Sequence, residues 1–291
     1  MSAVTVQPLP FGRLERERHI EALFHAFRKV PGPSSDHEDS AVFPGLQGAG
    51  PGREEGEVME KDAEDGVGPG GDGNQRRHGY GAEGLTLLNN ISQLRITARP
   101  ELQGPRCVPR RTYSIATGTS EQLYVAVEES SCLCLHCCGP ARSCSLRAFD
   151  RQAHQVFLFD RPPRMDACCL GCCLMEMQAF DGDGQLAGAV YQRWSMFTPL
   201  FEVCDSDGTF VARVQGSCCP CRCYANQEFQ VVSMLGETLG RIWKKWPGFN
   251  KEYNMDHEYF GLDVLQEMSP RNKLLLLAAT FLLNHMFFEM S

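Results

Sequence analysis

Two hydrophobic spacings divide the chain. Over residues 12–29, Ile20, Leu23, Phe24 and Phe27 recur at helical spacing and stop before Pro31. This predicts a short, marginal amphipathic helix that docks or frays; a polar face that mixes both charge signs argues against the alternative of a membrane-surface or partner helix. From about Arg111 the period drops to two. Leu123, Val125 and Val127 alternate with polar or small residues, as do Val156 and Leu158 and, less cleanly, Cys144, Leu146 and Ala148. Turn signals separate these runs: Asp150-Arg-Gln, Asp181-Gly-Asp-Gly, Asp205-Ser-Asp-Gly and Leu235-Gly-Glu. Each lies between two apolar stretches, so the pattern predicts a string of antiparallel hairpins and a mainly β fold, a closed barrel or sandwich.

The last segment breaks the pattern. Lys273 to Ser291 is the one strongly apolar run, and Pro270 suits a first helical position. Its uncharged part, Leu274 to Phe288, is 15 residues long and is interrupted by Asn284 and His285. A hydrocarbon core needs about 20 residues. A helix over 271–289, apolar all round, therefore reads as the filling of a protein core.

Between the two regions, residues 31–83 are rich in Gly, Pro, Asp and Glu and poor in aromatics. Such a stretch buries too little apolar surface to offset the entropy of ordering, so residues 1–83 are expected to be disordered apart from the helix at 12–29. Residues 84–291 are long enough for one sizeable core, a barrel or sandwich domain that includes the last helix. Residues 1–83 hold 15 acidic and 9 basic side chains, which accounts for most of the net charge of −8. The rest is nearly neutral and carries no basic stripe that would point to nucleic acid. No catalytic constellation, phosphate loop or dinucleotide fingerprint is present, so the sequence gives no enzyme.

The chain contains 15 cysteines. The first apolar stretch is broken by Pro8 and Pro10, which excludes a secretory signal, and an odd number of largely paired thiols fits a reducing compartment. Three clusters stand out: Cys132, Cys134, Cys137 and Cys138; Cys168, Cys169, Cys172 and Cys173; and Cys218, Cys219, Cys221 and Cys223. Four close thiols suit zinc, but adjacent cysteines on a strand point to opposite faces. Surface doublets beside a membrane suit S-palmitoylation, with buried structural thiols as a further reading.

Two charged segments complete the candidates. Asp256, Glu258, Asp263 and Glu267 place four carboxylates just before the last helix, either as a solvated cap or as a calcium site. Gly240-Arg-Ile-Trp-Lys-Lys-Trp sets Arg241, Lys244 and Lys245 beside two tryptophans. That grouping suits a lipid headgroup layer or an exposed basic strand edge.

Several motifs, in order along residues 84–291, resemble the phospholipid scramblase family. They are Ala126-Val-Glu-Glu-Ser, Cys137-Cys-Gly-Pro, Cys172-Cys-Leu-Met-Glu, the segment from Gly240 to Trp246, Tyr259-Phe-Gly, and Phe281-Leu-Leu-Asn-His-Met-Phe-Phe-Glu. The resemblance implies a tubby-like fold, a twelve-stranded antiparallel barrel around a hydrophobic C-terminal helix. It implies calcium-responsive, ATP-independent, bidirectional movement of phospholipids between leaflets, with membrane phospholipids and further copies of the chain as partners.

The resemblance also assigns roles to residues. It aligns Cys168, Cys169, Cys172 and Cys173 with an acylated run in which Leu170 and Gly171 replace a Cys and a Pro. It places the first, third and twelfth positions of a calcium-binding run on Asp256, Glu258 and Glu267. Position five is Phe260, which excludes a standard EF-hand and makes the expected affinity weak. Arg241, Lys244 and Lys245 fall in a nuclear import motif. The family's Pro-rich N-terminal segment is missing. Its members are described as single-pass proteins with a cytoplasmic N-terminus, which sets a membrane-crossing helix beside the core-filling one. The implied location is the cytoplasmic face of the plasma membrane, with a nuclear pool when unacylated. The rival reading is an acylated, membrane-tethered adaptor or nuclear regulator on the same barrel.

Overall fold

The computed structural model describes residues 13–28, 84–101, 110–130, 143–164, 174–217, 226–245 and 259–288. Twelve antiparallel strands follow one another around a closed barrel: β1 (Gln93–Glu101), β2 (Arg110–Thr117), β3 (Gln122–Ser130), β4 (Cys144–Phe149), β5 (Gln155–Arg161), β6 (Glu176–Asp181), β7 (Leu186–Arg193), β8 (Leu200–Asp205), β9 (Phe210–Gly216), β10 (Gln227–Val232), β11 (Thr238–Lys245) and β12 (Tyr259–Val264). Each strand pairs with its sequence neighbour, and β1 closes the ring on β12 with Ile96 opposite Phe260. Closure removes the exposed edges of an open sheet. Among the open alternatives of the sequence, the barrel is therefore the one realised.

Five hairpins share one turn design. Thr117, Asp150, Asp181, Asp205 and Ser233 each accept a hydrogen bond on the side-chain oxygen from the backbone N–H four residues on. In each turn the residue three positions on has positive φ: Ser120, Ala153, Gly184, Gly208 and Gly236. The strand register shifts by one residue beside every one of these turns. This is the hairpin in which a type I turn ends in a left-handed residue and a bulge. Glycine takes that position without strain in three turns; Ser120 and Ala153 take it against the usual steric preference.

In an up-and-down barrel, alternate connections lie at opposite ends. The five short turns and the link from β12 to the last helix therefore mark one end, the turn end. The longer connections, after β1, β3, β5, β7, β9 and β11, mark the other, the loop end. Segments 102–109, 131–142, 165–173, 218–225 and 246–258 of those connections lie outside the described residues. With them lie all three cysteine clusters, Asp256 and Glu258.

The final helix, α2 (Pro270–Leu283), enters at the turn end and runs through the barrel. Ser269 caps it, accepting from the Asn272 N–H at 3.3 Å, and Pro270 opens it. Every residue from Lys273 to Leu283 is buried. At Asn284 the helix widens into one π turn, Asn284–Phe288. Phe281 meets Phe159 and Phe260, and Phe288 meets Phe229 and Phe260. Lys273 is wholly buried at the turn end, where its ammonium donates to the Leu88 carbonyl at 3.0 Å and the Gln266 carbonyl at 2.8 Å. Burial pushes its pKa down. Among the described residues no helix is long and apolar enough to cross a membrane.

The helix predicted over 12–29 forms as α1 (Arg13–Arg28) and docks on the outside of the barrel. Ile20, Leu23 and Phe24 pack on Val125, Val127, Phe149 and Ala153. This cover changes the reading of β3. Val125 and Val127, part of the alternating set in the sequence, face the helix, while Tyr124 and Ala126 join the barrel interior. On β5, Phe157 and Phe159 line the interior and Leu158 is only half-buried. Val156 is also buried, beneath Gly84. A strand covered on both faces loses a clean period of two.

Candidate functional site at the loop end of the barrel

The loop end gathers most of the chemistry-bearing sequence. The connections that begin after Ser130, Arg161 and Gly216 carry the three cysteine clusters, and the one after Lys245 carries Asp256 and Glu258. Cys168, Cys169, Cys172 and Cys173, the proposed acylation run, thus lie between the loop-end termini of β5 and β6 and outside the described residues.

One loop-end connection is fully described. Between β7 and β8, residues 194–199 hold Trp194, Met196 and Phe197 with 53, 70 and 71% of their surface exposed. A polar connection would be ordinary there. The sequence reading missed these three, although the signal was legible: Trp-Ser-Met-Phe stands where turn residues were due. Trp and Phe on a short loop suit the layer between water and hydrocarbon. The turn end exposes apolar side chains as well, Met234 and Leu235 at one hairpin tip and Leu87, Leu186 and Leu265 around it, but none of these is aromatic.

The basic segment does not act as one patch. Strand alternation sends Arg241, Trp243 and Lys245 outward and Lys244 inward, where its ammonium hydrogen-bonds the Phe288 carbonyl. Lys245 stacks on Trp243 at 5.2 Å, and both line an outer-wall depression of about 220 Å³ with Gln93, Glu228, Arg241 and Asp263. Arg241 is not open to an anion. It donates to Asp263 Oδ2 at 2.7 Å and stands 3.6 Å from Glu228.

The four acidic candidates are likewise divided. Asp263 faces this depression, and its Oδ1 accepts from Gln93 at 2.8 Å and from Trp243 at 2.9 Å. Burial works to raise its pKa, but the hydrogen bonds from Trp243, Gln93 and Arg241 outweigh it and hold the carboxyl below its ordinary value. Glu267 is exposed in the link at the turn end. Asp256 and Glu258 precede β12 and lie outside the described residues. Strand β12 stands between Glu258 and Glu267, an extended run of about 20 Å. A cation at Asp263 would have to displace Arg241.

The wall outside these regions is charged. Glu202 pairs with Arg193 at 2.7 Å and Arg213 at 3.6 Å, Glu176 with Arg164 at 2.9 Å, and Glu129 with Arg147 at 3.4 Å. That is the reverse of the apolar band of a lipid-embedded barrel. The interior is filled by α2 and aromatic side chains, so it offers no conduit.

The Scramblase family model matches residues 109–290. The chain belongs to the scramblase family. It is 33% identical to phospholipid scramblase 2 of Bos taurus over 72% of either chain. It is 32% identical to phospholipid scramblase 1 of Rattus norvegicus over 71% of this chain and 62% of that one. It is 30% identical to phospholipid scramblase family member 5 of Homo sapiens over 72% of this chain and 78% of that one. No solved structure gives a significant match. The family match runs from the start of β2 to the end of the π turn, so the scramblase region coincides with most of the barrel and its core helix.

Proposed function

We propose that this scramblase-family protein moves phospholipids between membrane leaflets without ATP, in both directions and in response to calcium. Membership of a family whose relatives are named phospholipid scramblases carries the reading. In this proposal the loop end meets the cytoplasmic face of the plasma membrane. Trp194, Met196 and Phe197 enter the headgroup layer, and acyl chains on Cys168, Cys169, Cys172 and Cys173 hold the protein there. A single acyl chain gives only marginal anchoring, so at least two of the four are used. Because α2 fills the barrel, lipids pass along the outside, at the perturbed bilayer beside the loop end or between copies of the chain.

Calcium binds weakly, with a dissociation constant on the order of 10⁻⁴–10⁻³ M as at low-affinity sites. It acts at two separate places, Asp256 and Glu258 before β12 and Glu267 after it, relieving repulsion around β12 and the start of α2. The deciding experiment reconstitutes the pure protein in liposomes carrying a labelled phospholipid in one leaflet, with calcium and no ATP. The label is expected to equilibrate, and Asp256→Asn with Glu267→Gln is expected to remove the calcium dependence. Protein-free rates would overturn direct scrambling.

That outcome would favour a second reading, an acylated adaptor or nuclear regulator tethered at the membrane. Its specific support is the filled interior and charged wall, which suit a soluble module on a surface.

A further inference from the structure

The loop end of the barrel interior holds a convergence that neither lipid movement nor calcium uses. Glu128 comes from β3, Cys144 from the first position of β4, and His285 from the π turn that ends the core helix. All three are buried, at 2, 4 and 1% exposure. One ligand atom from each, a carboxylate oxygen, the thiol sulfur and an imidazole nitrogen, lies within 4.8 Å of the other two. Cys144 Sγ stands 3.6 Å from His285 Nε2.

That separation is informative. Zinc bonds of about 2.3 Å to sulfur and about 2.0–2.1 Å to nitrogen, set at the tetrahedral angle, place the two ligand atoms about 3.5–3.6 Å apart. The sulfur and nitrogen already stand at the span that a shared zinc ion requires. The carboxylate oxygen, within 4.8 Å of both, reaches a shared ion through a rotamer adjustment of the glutamate. Tyr113 donates its hydroxyl to Glu128 Oε2 at 3.0 Å, the orienting contact that a ligating carboxylate commonly has. A π turn, rare in proteins and frequent at functional sites, delivers the histidine.

We propose that Glu128, Cys144 and His285 bind a zinc-class divalent ion that fastens the end of the core helix to strands β3 and β4. The ligand types select the metal. Sulfur with nitrogen and one oxygen suits a borderline-soft ion, whereas calcium requires six to eight oxygens. Binding is balanced in charge: the Cys144 thiol gives up its proton to solvent, and a thiolate and a carboxylate neutralise the divalent ion. A water completes the fourth position. Arg161, buried and directly cross-strand from Cys144, is the nearby cation that the ion must tolerate. In the metal-free protein the same atoms form the Cys144–His285 contact. The site is independent of the scrambling proposal.

The test uses full-length protein, stripped with a chelator, kept reduced without a thiol reagent, and titrated with cobalt(II) and then zinc. Because other cysteines can bind metal, the readout is a difference between proteins. Wild type is expected to take up one equivalent more than His285→Phe or Glu128→Gln, with that equivalent showing a cobalt–thiolate charge-transfer band displaced by zinc. Zinc is expected to raise the wild-type melting temperature by more than that of either variant. Tyr113→Phe, which keeps the fold's aromatic packing, should retain the site with affinity reduced by about 10–100-fold. Should His285→Phe fail to fold, Glu128→Gln and Tyr113→Phe still decide the matter. Equal stoichiometry and spectra in wild type and Glu128→Gln would overturn the proposal, as would a wild type whose melting temperature ignores zinc.

Discussion

Tyr113 on β2 meets Phe281 of the core helix edge to face, ring centroids 5.1 Å apart at 84°, with both side chains wholly shielded from solvent. The contact joins the wall to the helix that fills it. Truncating an aromatic in such a core costs about 3–5 kcal/mol through lost burial and the cavity left behind. Phe281→Ala is therefore expected to lower the unfolding free energy by that much, read as a lower urea midpoint at unchanged slope. Deleting the chain from Arg271 onward is expected to unfold the barrel outright. A truncated protein that stayed monomeric and melted cooperatively would show that α2 is not the core.

Gly240 opens the basic motif, and its role is packing between strands. A Cβ there would sit 2.1 Å from the Asp263 carbonyl oxygen across the β11–β12 ladder. The backbone must shift to admit one, so Gly240→Ala is expected to cost about 1–3 kcal/mol, the usual range for forced overpacking. Differential scanning calorimetry reads this directly. An unchanged melting temperature would refute the close approach.

Asp263 is expected to shape the acid limb of stability. Its folded-state pKa lies below the ordinary carboxylate value of about 3.9. The unfolded chain then binds the proton more readily. The stabilisation is present in full above about pH 4 and is lost as pH falls through the depressed value. Urea titrations across that window should give a shallower pH slope for Asp263→Asn than for wild type. Equal slopes would mean that the contacts from Trp243, Gln93 and Arg241 do not persist in solution.

The orientation of the barrel on a membrane can be read from paired substitutions at its two ends. Trp194→Ser with Phe197→Ser should weaken binding of the unacylated protein to liposomes, while Met234→Ser with Leu235→Ser should not. In cells, changing Cys168, Cys169, Cys172 and Cys173 together to Ala should remove acyl label and shift the protein off membranes. If the Met234 and Leu235 pair matters as much as Trp194 and Phe197, the loop end is not the membrane-facing end.

The sequence by itself determined the local structure. Asp150, Asp181 and Asp205 mark turns because their side chains cap the backbone N–H groups of their own hairpins, an interaction within five residues. The run from Leu274 to Phe288 declared a core helix because it is apolar on every side and too short to span a bilayer. The resemblance carried by Phe281 to Glu289 and by the cysteine motifs named the family.

Only the tertiary structure decided which faces these elements present and which residues meet. Val125 and Val127 look like core positions of a barrel until α1, about a hundred residues earlier, is found covering them. Arg241, Lys244 and Lys245 look like one basic patch until strand alternation turns Lys244 inward. Asp263 looks like one carboxylate of an acidic run until Arg241, Trp243 and Gln93 are found around it. Glu128, Cys144 and His285 are separated by up to 157 positions in the chain, and the sequence hinted at them only through a histidine interrupting an apolar run. Contacts between distant segments depend on register and barrel closure, which arise from the summed packing of the whole chain and leave no local pattern to read.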